Sequence, residues 1–386
     1  MLRYKELYVY LYRHQPQLAE QIGQAYINTM RWYYLDHFTR YQRALEKVKI
    51  HVMDKSDVLG SEESLRRGKH GSGAASGKSV SGHYEPFALG RRRVHLQSTS
   101  RMAITSFAAE EDSSSQYLEV PFRNFNLALV DNASAEYSFL TEFFSTYSYH
   151  QVARKFTEIF QPSFALGQAM TKGLVESNVD CLGVLLCVRL NQRFAFDLQR
   201  RKIPAVDSYI NGTNMLLWPR FQIVMDMHCE SIRRAAAAQS AGKGVASALS
   251  LGGSDAPKQS AAPHQLTQRF AQFLQGILAL SSEAGDDEPV ATSLGRLRND
   301  YESFLTRLSK SVGESRKRER FLFNNYSLIL TIINVSCPSP VTYRIQRLIS
   351  HPGNGWKIGK GADRGMTILD VPCRFNPDIV HSISSH

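Results

Sequence analysis

The stretch LLWPRFQIVMDMHCESIRR, residues 216–234, concentrates side chains that metal binding or acid–base catalysis would use. Asp226, His228, Cys229 and Glu230 fall within five positions. On a helical wheel, however, His228 shares a face with apolar residues, whereas the other three point to a different face. A zinc site would also need Cys or His donors at regular spacing elsewhere in the chain, and the sequence offers no such pair. We therefore predict that this stretch is structural.

Pro219 lies inside the same apolar stretch and predicts a junction or kink. Proline lacks the N–H that an interior helical residue donates, and it disfavours the α conformation at the preceding residue, Trp218. We expect Trp218 and Phe221 to pack this junction and Arg220 to reach a carbonyl or carboxylate. All four residues are therefore structural or interaction candidates. A comparable break is predicted at Pro162.

Three clusters of basic residues could contact an anionic partner. Arg91–Arg93 lie in a Ser- and Gly-rich region, and Arg200–Lys202 suit a helix C-terminus, where cations meet the negative end of the helix dipole. The interaction candidates of the third cluster, near the start of the last long helix, are Arg316, Lys317, Arg318 and Arg320. Such clusters are more often solvated than binding, although anionic lipid or an acidic partner helix fits them. No aromatics interleave with them as a single-strand groove requires, so we expect no specific nucleic-acid partner.

Motifs of the common enzyme classes are missing from the 386 residues. The segment GSGAASGKS, residues 71–79, resembles a phosphate-binding loop, but position 72 is serine where that loop needs glycine. The sequence contains no GxSxG elbow, no HExxH helix and no GxGxxG turn, and no carboxylate pair is set as an acid and a base. We predict a protein that is not an enzyme and has no catalytic, cofactor-binding or metal-binding residues.

Helical periodicity dominates the ordered parts of the chain. Residues 17–50 form one predicted amphipathic helix, and residues 2–13 form a shorter helix as the other arm of a hairpin. Residues 178–200 are apolar on several faces and are predicted to be buried on most sides. Asn132 or Ser134 is expected to cap another helix. We expect the apolar stripe of the first long helix to lie in the core; it comprises Leu18, Ile22, Tyr26, Met30, Tyr33, His37, Tyr41, Ala44 and Val48.

These patterns predict an all-α fold, an elongated bundle of long helices of the helical-rod type, with two disordered inserts and an irregular C-terminal tail. Five cysteines without CxxC spacing indicate a reduced protein of the cytosol or nucleus, and no apolar run approaches the ~20 residues that span a bilayer. The predicted units are a long-helix hairpin at 1–55, a flexible insert at 56–117, a central helical bundle at 118–234, a second flexible insert at 235–263, a helical bundle at 264–335 and an atypical disordered tail at 336–386.

Five segments resemble, in the same order, the vacuolar protein sorting-associated protein 52 family. The resemblance covers about residues 2–335, and the two inserts match poorly. The segments are LRYKELY at 2–8, YYLDHFTRYQRALEKV at 33–48, LVDNASAEYSFLTEFF at 129–144, LLWPRFQIVMDMHCESIR at 216–233 and RERFLFNNYSLIL at 318–330.

The resemblance implies a subunit of the Golgi-associated retrograde protein (GARP) and endosome-associated recycling protein (EARP) complexes. Such a subunit would tether endosome-derived vesicles to the trans-Golgi network through sister subunits, a Rab-type small GTPase and syntaxin-type SNAREs. It would be cytosolic or peripheral, on the cytoplasmic face of the trans-Golgi network and endosomes, with possible contact to anionic membrane. The family implies no catalysis and no cofactor, and its members carry a coiled-coil segment ahead of LRYKELY. The alternative hypothesis is a basic helical scaffold that binds nucleic acid or an anionic membrane surface.

Overall fold

A computed structural model describes most of the chain. It covers residues 1–61, 87–97, 102–112, 114–249, 261–281, 288–312 and 314–336, without the side chains of 239–249 and 334–336. Within these ranges the chain forms eleven α-helices and no strand, which confirms the all-α prediction. The segment GSGAASGKS and the predicted tail beyond Ser336 lie outside the described residues.

The helices are numbered in chain order. They are α1 (Lys5–His14), α2 (Pro16–Glu46), α3 (Val94–Gln97), α4 (Ser106–Glu111), α5 (Glu119–Phe143), α6 (Tyr149–Glu176), α7 (Cys181–Arg201), α8 (Asp207–Leu249), α9 (Gln265–Ser281), α10 (Glu288–Ser311) and α11 (Ser315–Ser336).

The first two helices form the predicted hairpin. Pro16 occupies the first turn of α2, where its missing N–H costs nothing, and the Tyr8 hydroxyl of α1 donates to the Ala19 carbonyl at 3.1 Å. The core-facing stripe of α2 differs from the predicted one. It consists of Ala19, Gly23, Ile27, Tyr34, Phe38, Ala44 and Leu45, whereas Leu18, Ile22 and Tyr33 are exposed.

Two tyrosines of α2 join this helix to α5 through one buried carboxylate. The hydroxyls of Tyr26 and Tyr34 donate to the two carboxylate oxygens of Glu136 at 2.7 and 2.9 Å. Burial raises the pKa of Glu136 above its ordinary range, although both hydroxyls counteract the rise. Glu136 therefore serves as an acceptor that fixes the register of α2 against α5.

Helix α7 lies at the centre of the fold, in contact with α5, α8 and α9. Every residue from Asn178 through Asn191 is buried, which confirms the predicted burial on most sides for the first half of the helix. The second half is open on one side, where Phe196 is exposed. Its C-terminus also matches expectation, since Arg200 and Arg201 lie in the last turn and Lys202 takes the left-handed conformation (φ 58°) that commonly ends a helix.

The two interior prolines do not end their helices. Helix α6 continues through Pro162, so the break predicted there is wrong. Helix α8 continues through Pro219, so Pro219 is not a junction between two helices, and the kink predicted as the other outcome stays a prediction. A proline inside a helix costs about 3 kcal/mol, and buried neighbours such as Phe160 and Phe164 offset that cost in α6. Asn132 and Ser134 are not caps either, because α5 already begins at Glu119.

Parts of the predicted flexible inserts belong to the packed structure. After α2 a non-helical strap, residues 47–61, runs from the predicted hairpin unit into the first predicted insert, and its Met53 N–H donates to the Asn178 side chain at 3.1 Å. At its far end the Gly60 N–H donates to the Ser231 hydroxyl of α8 at 3.0 Å. Residues 87–97 bury Phe87, Leu89, Arg92 and Leu96. Helix α8 continues to Leu249, past the predicted boundary at 234. The packing of the strap and of residues 87–97 was not predicted because their buried residues follow no helical period in the sequence.

Candidate interaction surfaces

The four candidate residues of α8 take different positions. Phe221 is fully buried, and the ring of the half-buried Trp218 meets it edge-on at 5.8 Å. Arg220 donates to the Asn178 carbonyl at 2.9 Å, as predicted. Burial lowers the pKa of the Arg220 guanidinium. Pro219 is exposed. Arg220 therefore links α8 to the residues just before α7, Trp218 packs on Phe221 within α8, and Pro219 is the most exposed of the four.

The ligand-type residues further along α8 do not converge. His228 is fully buried, its Nδ1 accepts from the Leu59 N–H at 3.3 Å, and desolvation lowers its pKa to about 4. Asp226 points to the surface, where it pairs with Arg296 at 2.8 Å. Across the described ranges, no group of three or more His, Cys, Asp or Glu side chains could hold a metal ion. The helical wheel thus separated His228 from Asp226 correctly.

The basic candidates of α11 lie in its first two turns. Arg316, Lys317 and Arg320 are exposed, Arg318 is half-buried, and Lys317 pairs with Glu314 at 2.7 Å. The first turn contains no acidic residue. Cations at this end face the positive pole of the helix dipole, which is unfavourable by about 0.3–1 kcal/mol each at low ionic strength. The surface there favours an anion.

Arg92 belongs to the basic cluster Arg91–Arg93, which was expected to face solvent or an anionic partner, but Arg92 does not lie at the surface. It is buried with Glu119 and Asp180, and each carboxylate accepts two of its hydrogen bonds, the shortest at 2.7 and 2.6 Å. Its guanidinium also lies 4.0 Å from the centre of the Tyr117 ring. Burial alone would lower the pKa of Arg92, but the two carboxylates outweigh burial and raise it.

The two carboxylates would leave this ionic cluster one negative charge in excess. Glu119 lies in the first turn of α5, and Asp180 caps α7 by accepting from the Gly183 N–H at 2.9 Å. The positive ends of both helix dipoles therefore offset the excess charge. The cluster of Arg92, Glu119 and Asp180 joins residues 87–97 to α5 and α7, and this role is structural.

Helix α2 presents a second apolar stripe, directed away from the core. We call it the outer face of α2; it consists of Leu18, Ile22, Ala25, Thr29 and Trp32, all of them exposed. Trp32 has 66% of its surface accessible. Nine of the eighteen large apolar side chains that are exposed in the described ranges fall within the first 33 residues. The α1–α2 hairpin is therefore the largest concentration of uncovered apolar surface along the described chain.

Comparison with known proteins places this architecture in a family. The model of the family described as Vps52, C-terminal, matches residues 28–339. The chain belongs to the Vps52 C-terminal family. It is 35% identical over 331 residues to vacuolar protein sorting-associated protein 52 of Schizosaccharomyces pombe and 31% identical over 353 residues to that of Saccharomyces cerevisiae. The human homolog is 26% identical over 342 residues.

These Vps52 relatives are longer than the region they share with the chain. The matches cover 86%, 84% and 86% of this chain, but only 60%, 54% and 43% of the three relatives. The chain therefore spans about half the length of the curated relatives it matches. In the described ranges, no helix has both the length and the hydropathy to cross a membrane.

Sequence reasoning missed two features of this Vps52-family fold. It assigned Leu18 and Ile22 to the core stripe, and it did not single out Trp32. The sequence does contain a signal for a second apolar stripe, because α2 has more apolar positions than one core-facing stripe requires. They form two series, 19, 23, 27, 34, 38 and 18, 22, 25, 32. No comparable local signal marks Arg92, since its carboxylates lie 27 and 88 residues away.

Proposed function

We propose that this chain is the C-terminal region of a non-enzymatic subunit of a vesicle-tethering complex for retrograde transport from endosomes to the trans-Golgi network. It acts through protein–protein contacts with the sister subunits of the GARP and EARP tethers, a Rab-type GTPase and syntaxin-type SNAREs. It works at the cytoplasmic face of the trans-Golgi network and endosomes. Membership of the Vps52 C-terminal family is the observation that carries this proposal.

The architecture supports a binding role. Long helices place surfaces far apart: the 43 residues of α8 alone span roughly 65 Å at ~1.5 Å per residue. The uncovered apolar residues concentrate at one place, the α1–α2 hairpin, as expected of an interaction surface. The ligand-type side chains of α8 are instead engaged in packing and surface ion pairs.

Contact with an anionic membrane is a second candidate role, favoured by the exposed Arg316, Lys317 and Arg320 at the start of α11. The same cations would serve the alternative of a basic scaffold for nucleic acid, although the burial of Arg92 removes one cation of the Arg91–Arg93 cluster from that alternative. Binding to vesicles that contain phosphatidylserine, measured against neutral vesicles and over a series of salt concentrations, tests this role. A charge-reversed R316E/K317E/R320E variant that binds as well as the unchanged chain would contradict it.

Co-purification with the sister subunits tests the main proposal. The tagged chain would be expressed in cells twice, alone and joined to the N-terminal region that the longer relatives possess, and captured proteins would be identified by mass spectrometry. We expect sister tether subunits with the joined form. If neither form recovers any tether subunit, this chain is not part of such a complex.

A further inference from the structure

We propose that the outer face of α2 binds an amphipathic helix of a sister subunit, by coiled-coil-like packing. This inference rests on the proposed function, which it deepens by naming the surface and the chemistry of its partner. It begins from an apolar stripe that the chain itself leaves uncovered: Leu18, Ile22 and Trp32 expose 42%, 45% and 66% of their surface.

The spacing of the outer face specifies a helix as its partner. Its residues follow one another at intervals of four, three, four and three positions. This is the heptad seam, on which side chains of one helix insert between those of another. The positions that flank the seam hold Gln21 and Asn28 on one side and Tyr26 and Tyr33 on the other, so no charge opposes an apolar contact.

The seam is too short to hold a partner helix by itself, so the partner must make other contacts as well. From Leu18 to Trp32 it extends about 21 Å, at ~1.5 Å per residue. Paired helices of so few turns are marginal by themselves in water, and stable protein interfaces bury about 1,200–2,000 Å² in total. A partner already held by other contacts, such as another subunit of one complex, meets this requirement.

Charge argues against a second copy of this chain as the partner. Beyond Tyr33 the same side of α2 carries Asp36, which pairs with Arg40 at 2.8 Å, and then the exposed Arg43. Parallel pairing of two copies would bring Arg43 against its counterpart. Antiparallel pairing would bring it past the start of α2, towards the α1–α2 turn, where Arg13 is exposed. A helix with apolar residues at heptad spacing and an acidic end opposite Arg43 fits instead.

Site-directed photo-crosslinking tests which helix lies on this face. A photoreactive residue would replace the exposed Thr29 in both forms of the chain used for co-purification, with a matched probe at the exposed Phe323 of α11. We expect the Thr29 probe to crosslink to a sister subunit, within a heptad segment that carries acidic residues, and the Phe323 probe not to do so. Crosslinks from Thr29 only to another copy of the chain, or to no subunit of a recovered complex, would overturn the proposal.

A substitution series measures the contribution of the seam. I22D/W32D should lower recovery of the sister subunit at least about tenfold, as removal of a central aromatic anchor does. F196D/F323D, which changes two exposed side chains elsewhere, should leave recovery unchanged. All four side chains are exposed, so both variants should keep the thermal midpoint of the unchanged chain. Equal recovery with I22D/W32D would overturn the proposal and leave the proposed function standing. The series is measured in the joined form, and if that form without substitutions recovers no sister subunit, the proposed function itself fails.

Discussion

Helices α7 and α2 are both long and rich in apolar residues, yet the fold covers them differently. The first half of α7 is buried on every side, without a break from Asn178 to Asn191. Helix α2 is covered on the stripe that includes Ile27 and Phe38 and left open on the stripe that includes Ile22 and Trp32. The comparison shows that apolar content alone does not say which residues a domain uses itself and which it offers to a partner.

The two helices also differ in how polar groups secure them. Helix α7 begins at an ionic cluster in which one arginine is shared by two buried carboxylates. Helix α2 is held by hydroxyls that donate to carboxylates, as when Tyr26 and Tyr34 bond to Glu136. Loss of a buried ion-pair partner costs about 3–5 kcal/mol, more than the ~1.5–3 kcal/mol of one hydrogen bond to a charged group. Substitutions near α7 should therefore be the more damaging.

The largest effect is expected at the α7 side, from Arg92→Ala. It leaves Glu119 and Asp180 buried without their shared cation, which should lower the free energy of unfolding by about 3–5 kcal/mol. Urea denaturation followed by circular dichroism measures the change. Arg91→Ala, a substitution at the exposed neighbour, should change stability by less than ~0.5 kcal/mol. Equal effects of the two substitutions would contradict the account of the ionic cluster.

A pH dependence is expected from His228 of α8. Its pKa of about 4 in the folded chain lies below the ordinary value of 6.5, because burial disfavours the charged form. The unfolded state therefore binds the proton first, and the stability present above pH 6.5 is lost as the pH falls towards 4. The slope is at most one proton, roughly 1 kcal/mol per pH unit. Urea denaturation at pH 7, 6 and 5 should show this loss, and His228→Leu should reduce it. Identical pH profiles for the two chains would show that His228 is not the responsible group.

A loss of stability of intermediate size is expected from the strap, residues 47–61, which runs from α2 to α8. A Cβ at Gly60 would lie 2.3 Å from the carbonyl oxygen of Ser231, so Gly60→Ala must displace the strap from α8. We expect a loss of about 2 kcal/mol, within the range for overpacked sites, in thermal or urea unfolding. Gly173→Ala in α6, where nothing lies within 4 Å, should instead stabilise the helix by about 0.5–1 kcal/mol. Similar results at both glycines would argue against close docking of the strap.

The smallest effect on stability is expected from a substitution in the outer face of α2, Trp32→Ala. The half-buried Trp218 provides the comparison. Trp218→Ala should lower the unfolding free energy by about 2 kcal/mol, less than the 3–5 kcal/mol of a fully buried aromatic residue. Trp32→Ala should lower it by less than ~0.5 kcal/mol in the isolated chain. The two midpoints in urea make the comparison direct. A large loss at Trp32 would mean that the chain covers this residue itself.

Local sequence patterns predicted much of the fold but fewer of the residues at the candidate surfaces. Periods of three and four residues predicted the helical hairpin and the burial of α7, and the helical wheel placed His228 inside. The break predicted at Pro162 was wrong because the buried Phe160 and Phe164 on either side of it outweigh a local preference. The sequence did not predict that Arg92 is buried, since that depends on contacts with distant residues. Leu18 and Ile22 of the outer face were assigned to the core because two apolar stripes on one helix cannot be told apart until the packing neighbours are known.

The most direct test of the central claim is hydroxyl-radical footprinting of the chain, free and in the assembled complex, read by mass spectrometry at Leu18, Ile22 and Trp32. The claim is that the outer face of α2 is open in the free chain and covered by a partner helix in the complex. It predicts strong labelling of these residues in the free chain and protection in the complex, while Phe323 is labelled in both. Equal labelling of Trp32 in both states, or protection already in the free chain, would contradict it.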